Sequence, residues 1–197
     1  MVLSREEPRE LRSEIQGDCD VIPLTFDDER ARWALRHTAA HVLAQAVKRL
    51  YPGVRLGIGP AIDDGFYYDF DLESPFVPED LEKIESEIKK IISENIPVVR
   101  QEVDRETAKK MFQDMGEPYK VELIDELPEG SAISLYRQGD FVDLCAGPHV
   151  PSTGYLKAVK LLSFAGAYWR GDEKRPMLQR IYGTAFMSRD DLKQYLD

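Results

Sequence analysis

Leu81, Ile84, Ile88, Ile91 and Ile92 recur at helical spacing within PEDLEKIESEIKKIISEN, so this stretch predicts an amphipathic surface helix. A longer helix is expected before it, over residues 27–50. Thr25 with Asp28 three positions on forms a capping-box start, and Tyr51-Pro52-Gly53 forms a stop. Between the two helices, RLGIGPAIDDGFYYDF reads as two strands around an Asp64-Gly65 turn. After them, IPVVRQEV predicts a strand and DRETAKKMFQDMG a short helix closed by Gly116. The second half reads mainly as strand, in YKVELI, SAISLYRQGDFVDL, YLKAVKLLSF and MLQRIYGTAF. GDEKRP turns the last pair, and Ser188 with Asp191 caps a terminal helix. Residues 1–10 are charged and expected to fray, and 11–26 hold too little apolar material to fold alone. Strands and helices without regular βαβ alternation give an α+β class, a largely antiparallel sheet packed against the long helix.

The chain has 197 residues, enough for one large domain or two small ones with a real core. Hydrophobic residues at 43% beside 31% charged describe a globular chain, and no apolar run approaches the ~18–20 residues that span a bilayer. The start, MVLSREEPRE, lacks the apolar stretch of a secretory signal. Cys19 and Cys145 lie far apart in sequence and read as reduced thiols in a cytoplasmic protein.

The formal net charge of −10 argues against a broad grip on nucleic acid. The acid is uneven, however. Residues 146–189 carry Lys157, Lys160, Arg170, Lys174, Arg175, Arg180 and Arg189 against Asp172 and Glu173, a net of +5. Such a band is either a place for an anionic ligand or a solvated strand face.

All three histidines fall in two matched pieces, His37 and His41 in HTAAH and His149 in CAGPH, four after Cys145. A spacing of four puts the first two on one helix face, a turn apart. His37, His41, Cys145 and His149 suit a zinc ion, which four ligands would close into a structural site. They equally suit binding of polar substrate atoms and a water without metal. HTAAH lacks the Glu of a zincin, against a metalloprotease. Asp143, two before Cys145, shares its strand face by period-two alternation. Only one of the adjacent Tyr67 and Tyr68 can face a given side, and Gly57 and Gly59 allow close backbone approach. Neither a Walker pattern nor a G-x-G-x-x-G is present.

HTAAH, GIGPAIDDGFYYDF, YKVELID, FVDLCAGPHVPSTG and AGAYWRGDEKRPMLQRIYGTAF resemble, in that order, the editing (second N-terminal) domain of bacterial-type threonyl-tRNA synthetases. The HxxxH and CxxxH pieces are shared more distantly with alanyl-tRNA synthetase editing domains and their freestanding relatives, which bind zinc there. YWRGD and MLQRIYGTA are far more specific to the threonyl family. The resemblance covers about residues 20–197. It implies two parts: residues 1–26, a charged segment with the remnant of a preceding small ubiquitin-like domain, and residues 27–197, the editing domain. No class II aminoacylation motif is present, so no charging of tRNA is expected from this chain. Its end within a helix leads us to expect a fragment rather than a freestanding protein.

The resemblance further implies hydrolysis of seryl-tRNA mischarged for threonine, threonyl-tRNA being spared because its extra methyl has no room. The implied partners are the acceptor end of a tRNA carrying serine and the remaining synthetase domains, and no membrane. By analogy His37, His41, Cys145 and His149 line the pocket, with Lys120 and Asp143 beside them. His37 and Lys120 are expected to orient or activate water and to steady the ribose hydroxyls, and Lys120 also to stabilise an oxyanion. Asp143 would hold the substrate ammonium, while Tyr68, Tyr136 and the Gly59 backbone shape the wall. No cofactor is expected to be required, zinc being the disfavoured alternative. A zinc-dependent deacylase of the alanyl type and a non-catalytic acceptor-end binding module are the competing readings.

Overall fold

The computed structural model describes residues 1–4, 7–14 and 17–197. In chain order the elements are β1 (Val2–Ser4), β2 (Glu7–Arg9), β3 (Val21–Pro23), α1 (Glu29–Leu50), β4 (Arg55–Leu56), β5 (Ala61–Ile62), β6 (Gly65–Asp71), α2 (Pro78–Glu94), β7 (Val98–Val103), α3 (Arg105–Asp114), α4 (Pro118–Glu126), β8 (Ile133–Gln138), β9 (Phe141–Leu144), β10 (Ala158–Tyr168), β11 (Met177–Phe186) and α5 (Arg189–Leu196). This is the expected α+β architecture. The strands form three antiparallel groups: a small β2-β1-β3 sheet, a central β10-β11-β6-β4 sheet with β5 also on β6, and a β7-β8-β9 meander. Among the described residues no helix is long and apolar enough to cross a membrane.

Helix α1 is the axis of the structure. Every residue from Ala34 to Val47 is buried, so this helix is enclosed on all sides rather than amphipathic. Its many alanines allow that close approach. Leu35, Val42, Leu43 and Val47 meet Phe66, Tyr68, Phe70 and Ile181 of the central sheet, and Ile84, Ile88 and Ile91 of α2 close the same core. A polar side chain on such a helix is desolvated and needs partners. Five of them, Arg36, His37, Thr38, His41 and Gln45, sit in that interval.

Three local expectations are corrected. The N-cap of α1 is Asp28, whose side chain accepts from the Arg30 backbone N–H; Thr25 instead donates to Asp27. The aspartate sits at the helix entrance itself, where its oxygens reach an unpaired amide. YKVELI is helical, not a strand. Pro118 at the start presets helical φ, and Lys120 and Ile124, four apart, turn one face inward. The β-branched Val121 and Ile124 are overruled by packing of Ile124 with Ala108 and Phe112 of α3. Finally, Val2–Ser4 is paired on both sides rather than frayed, with Leu3 opposite Pro8 and Ile22.

Candidate active site

Helix α1 supplies His37 and His41, their ring centroids 5.1 Å apart. Strand β9 delivers Asp143 and then Cys145, after which Gly147, at φ 75°, turns the chain back to His149. The two pieces interlock. Cys145 Sγ lies 3.2 Å from His37 Nε2 and 3.3 Å from His149 Nε2. His37 and His149 stack at 4.2 Å between centroids. One ligand atom from each of His37, His41, Cys145 and His149 falls within 4.8 Å of all the others. The two sequence pieces therefore build one cluster.

Thr38 sets the tautomer of His149, and sequence reasoning passed over it. Its hydroxyl donates to the Ala34 carbonyl at 2.8 Å, which uses its single proton. At 3.1 Å from the same oxygen, His149 Nδ1 must then be the donor. The unprotonated Nε2 is left facing Cys145. The sequence offers only the position of Thr38 directly after His37 inside HTAAH; its oxygen also receives the Val150 N–H, a contact made only in the fold.

A second polar group adjoins the cluster. Lys120 from α4 lies 2.6 Å from Asp143 Oδ1 and donates to the Tyr68 hydroxyl at 2.9 Å. Tyr68 in turn donates to Asp143 Oδ2 at 2.6 Å, and His41 Nε2 stands 3.5 Å from that oxygen. Four elements thus meet on one carboxylate. Tyr68 takes the inner side of β6, while Tyr67 takes the other, under the Arg180 guanidinium at 3.8 Å. Tyr136 lies opposite Asp143 in the β8–β9 register and tilts against His149 at 4.4 Å. Gly59 has a steric reason to be glycine: a Cβ there would come within 2.0 Å of the Tyr68 ring.

Burial sets the protonation states. Desolvation pushes His37 down to about 4 and holds His41 and His149 well below the usual imidazole range, so all three are neutral near pH 7. Burial also pushes the Cys145 thiol up to about 12, despite the Gly147 N–H pointing at its sulfur. Tyr68 is raised by burial and by the Asp143 charge. The cluster is three neutral imidazoles and a protonated thiol beside a buried ion pair.

The basic band is largely spent on internal partners. Lys160 pairs with Glu85, Arg170 with Glu126, Arg175 with Glu122 and Arg180 with Asp69, four of its seven cations. Arg175 and Trp169 both bind Glu122 on α4, two residues from Lys120, and so tie the β10–β11 turn to the site.

Residues 133–182, which run from β8 into β11 and include Asp143, Cys145 and His149, match the family described as the threonyl and alanyl tRNA synthetase second additional domain. Over most of its length the chain is similar to threonine–tRNA ligases. It is 64% identical over 190 residues to the Clostridium tetani enzyme and 63% identical over 191 residues to that of Clostridium botulinum strain Langeland, covering 96% and 97% of this chain. The chain spans about 30% of the length of these curated relatives.

Proposed function

We propose that this site hydrolyses the ester of seryl-tRNA mischarged for threonine and spares threonyl-tRNA. The reading is supported chiefly by the neutral His37–Cys145–His149 cluster standing against the Lys120–Asp143–Tyr68 group in a chain so similar to threonine–tRNA ligases. The chemical need is plain. One methyl in a synthetic pocket discriminates by only ~1–3 kcal/mol, so a second site must destroy the error.

In this mechanism the neutral imidazole of His37 accepts a hydrogen bond from the attacking water, takes its proton as the C–O bond to water forms, and returns it to the ribose oxygen as the ester C–O bond breaks, releasing serine and the free tRNA end. Lys120 is ion-paired with Asp143 and donates an N–H to Tyr68, and a further N–H is assigned to the ribose hydroxyls of the substrate. Asp143 first orients Lys120 and His41. Its charge is already matched by Lys120, so a substrate ammonium would share that carboxylate rather than own it. Tyr68 and Tyr136, with Gly59 behind Tyr68, form the wall that refuses the extra methyl. Cys145 is a protonated thiol and serves as a hydrogen-bonding wall residue, not a nucleophile. The expected partners are an acceptor end carrying serine and, in a longer protein, the remaining synthetase domains. With most of the basic band internally paired, tRNA affinity of this chain alone should be low and salt-sensitive.

A second reading rests on the donor set. His37, His41, Cys145 and His149 fit a zinc ion, and Thr38 behind His149 is the kind of outer partner that fixes a ligating imidazole. Zinc would supply Lewis acidity, but four protein ligands would leave it no open position for water. One assay separates the readings: deacylation of seryl- against threonyl-tRNA, with and without chelator. Chelator-insensitive loss of serine only supports the metal-independent site; silencing by chelator supports zinc. Binding of a seryl-adenosine analogue without hydrolysis leaves a docking module.

A further inference from the structure

The catalytic cluster is closed by a residue from outside the editing fold. Glu10 follows strand β2 of the N-terminal sheet, yet its Oε1 accepts from the Tyr136 hydroxyl and from the His149 backbone N–H, both at 2.7 Å. One carboxylate oxygen therefore satisfies two convergent donors between the wall tyrosine and a cluster histidine. Tyr136 and His149 are each 2% exposed, and His37 only 7%. Nothing the size of an aminoacyl nucleoside reaches these groups while the arm lies there.

The contact is local rather than a large docking face. Leu11, Val21 and Ile22 of the same arm remain exposed, so lifting it uncovers little apolar surface. The two donors are polar groups in a desolvated pocket and need an acceptor in either state. Once the arm leaves, the group best suited to replace a carboxylate oxygen is the carbonyl oxygen of the aminoacyl ester.

We propose that the Tyr136 hydroxyl and the His149 N–H form a subsite for the substrate's ester carbonyl oxygen, and that Glu10 fills it in the resting chain, making the N-terminal arm a built-in competitor. The identity of the ligand rests on the editing function proposed above; the occlusion by Glu10 does not. An arm docked about 90% of the time lowers apparent affinity about tenfold.

The test uses the full chain with Glu10→Ala and Glu10→Gln and an amide-linked seryl-adenosine as probe, by calorimetry, alongside deacylation kinetics. Glu10→Ala should bind the probe about tenfold more tightly, with the kinetic change in KM rather than kcat, and Glu10→Gln should fall between. Adding Tyr136→Phe to Glu10→Ala should weaken the probe again several-fold. Probe affinity of Glu10→Ala within twofold of the parent overturns the occlusion. An unaltered affinity on adding Tyr136→Phe overturns the subsite. If the probe binds more tightly to Glu10→Ala but neither chain deacylates seryl-tRNA, the occlusion stands and the editing function falls.

Discussion

Lys120 Nζ lies 2.6 Å from Asp143 Oδ1, with both side chains 2% exposed. Removing either partner leaves an uncompensated buried charge, which costs about 3–5 kcal/mol. Lys120→Met and Asp143→Asn should each destabilise the chain on that scale, while the double variant loses much less than their sum. Urea denaturation of the four proteins measures the coupling; additive losses would mean that the pair is not coupled. Lys120 variants therefore test folding as well as chemistry, contrary to a role in hydrolysis alone.

His37 is the cleaner probe of catalysis, being polar, neutral and at the edge of the buried set. His37→Ala should lower the rate of seryl-tRNA deacylation about 100-fold or more, the scale of a lost general base. Single-turnover rates check this, with circular dichroism to show an intact fold. A rate within fivefold of the parent would remove His37 from the mechanism.

Acid should unfold the chain through these imidazoles. His37 is held at about 4 by burial, against about 6.5 in an unfolded chain, and His41 and His149 are lowered by the same cause. Between those values the unfolded state binds more protons. The stability is fully present above about pH 6.5 and is lost as pH falls toward 4, roughly 3 kcal/mol from His37 alone. Denaturation midpoints from pH 7.5 to 4.5 should fall accordingly, and His37→Gln should flatten the slope.

Cys145, with its thiol pushed up to about 12, should react with iodoacetamide far more slowly than a free thiol at pH 7.5. Cys145→Ser should keep deacylation within about tenfold, since a hydroxyl can stand for a hydrogen-bonding thiol. Loss of more than a thousandfold would restore the nucleophile. One zinc per chain by elemental analysis would point instead to a bound thiolate.

Two glycines support the wall tyrosines by absence of a side chain. A Cβ at Gly147 would lie 2.0 Å from the Tyr136 hydroxyl, on a backbone at φ 75° that side chains rarely adopt, and one at Gly59 would meet the Tyr68 ring. Gly147→Ala and Gly59→Ala should each cost about 1–3 kcal/mol or more and impair the site beyond their loss of stability. Thermal melts and probe affinity, compared with Gly130→Ala, which has a positive φ of 78° but no contact within 4 Å, check both effects.

Much of this was legible along the chain because it is local. The hydrophobic spacing of α2, a tight β5–β6 turn (at Asp63-Asp64, one residue before the expected Asp64-Gly65), the Ser188 cap and the 3.6-residue period that aligns His37 with His41 need no distant partner. Pairing HTAAH with CAGPH was also readable, since every histidine in the chain belongs to one of the two. What depends on burial was not. Lys120 sits in a segment whose residues allow either strand or helix, and only packing of Ile124 against α3 decides for the helix that delivers it to Asp143. Along the chain the basic band reads equally as an anion site or a solvated strand face; in the fold Asp69, Glu85, Glu122 and Glu126, from elsewhere in the sequence, pair four of its cations. Thr38 and Glu10 acquire their roles only when residues more than a hundred positions away meet them. Sequence determines which groups can do chemistry; their protonation, pairing and access are set by desolvation and contact, which exist only in the folded chain.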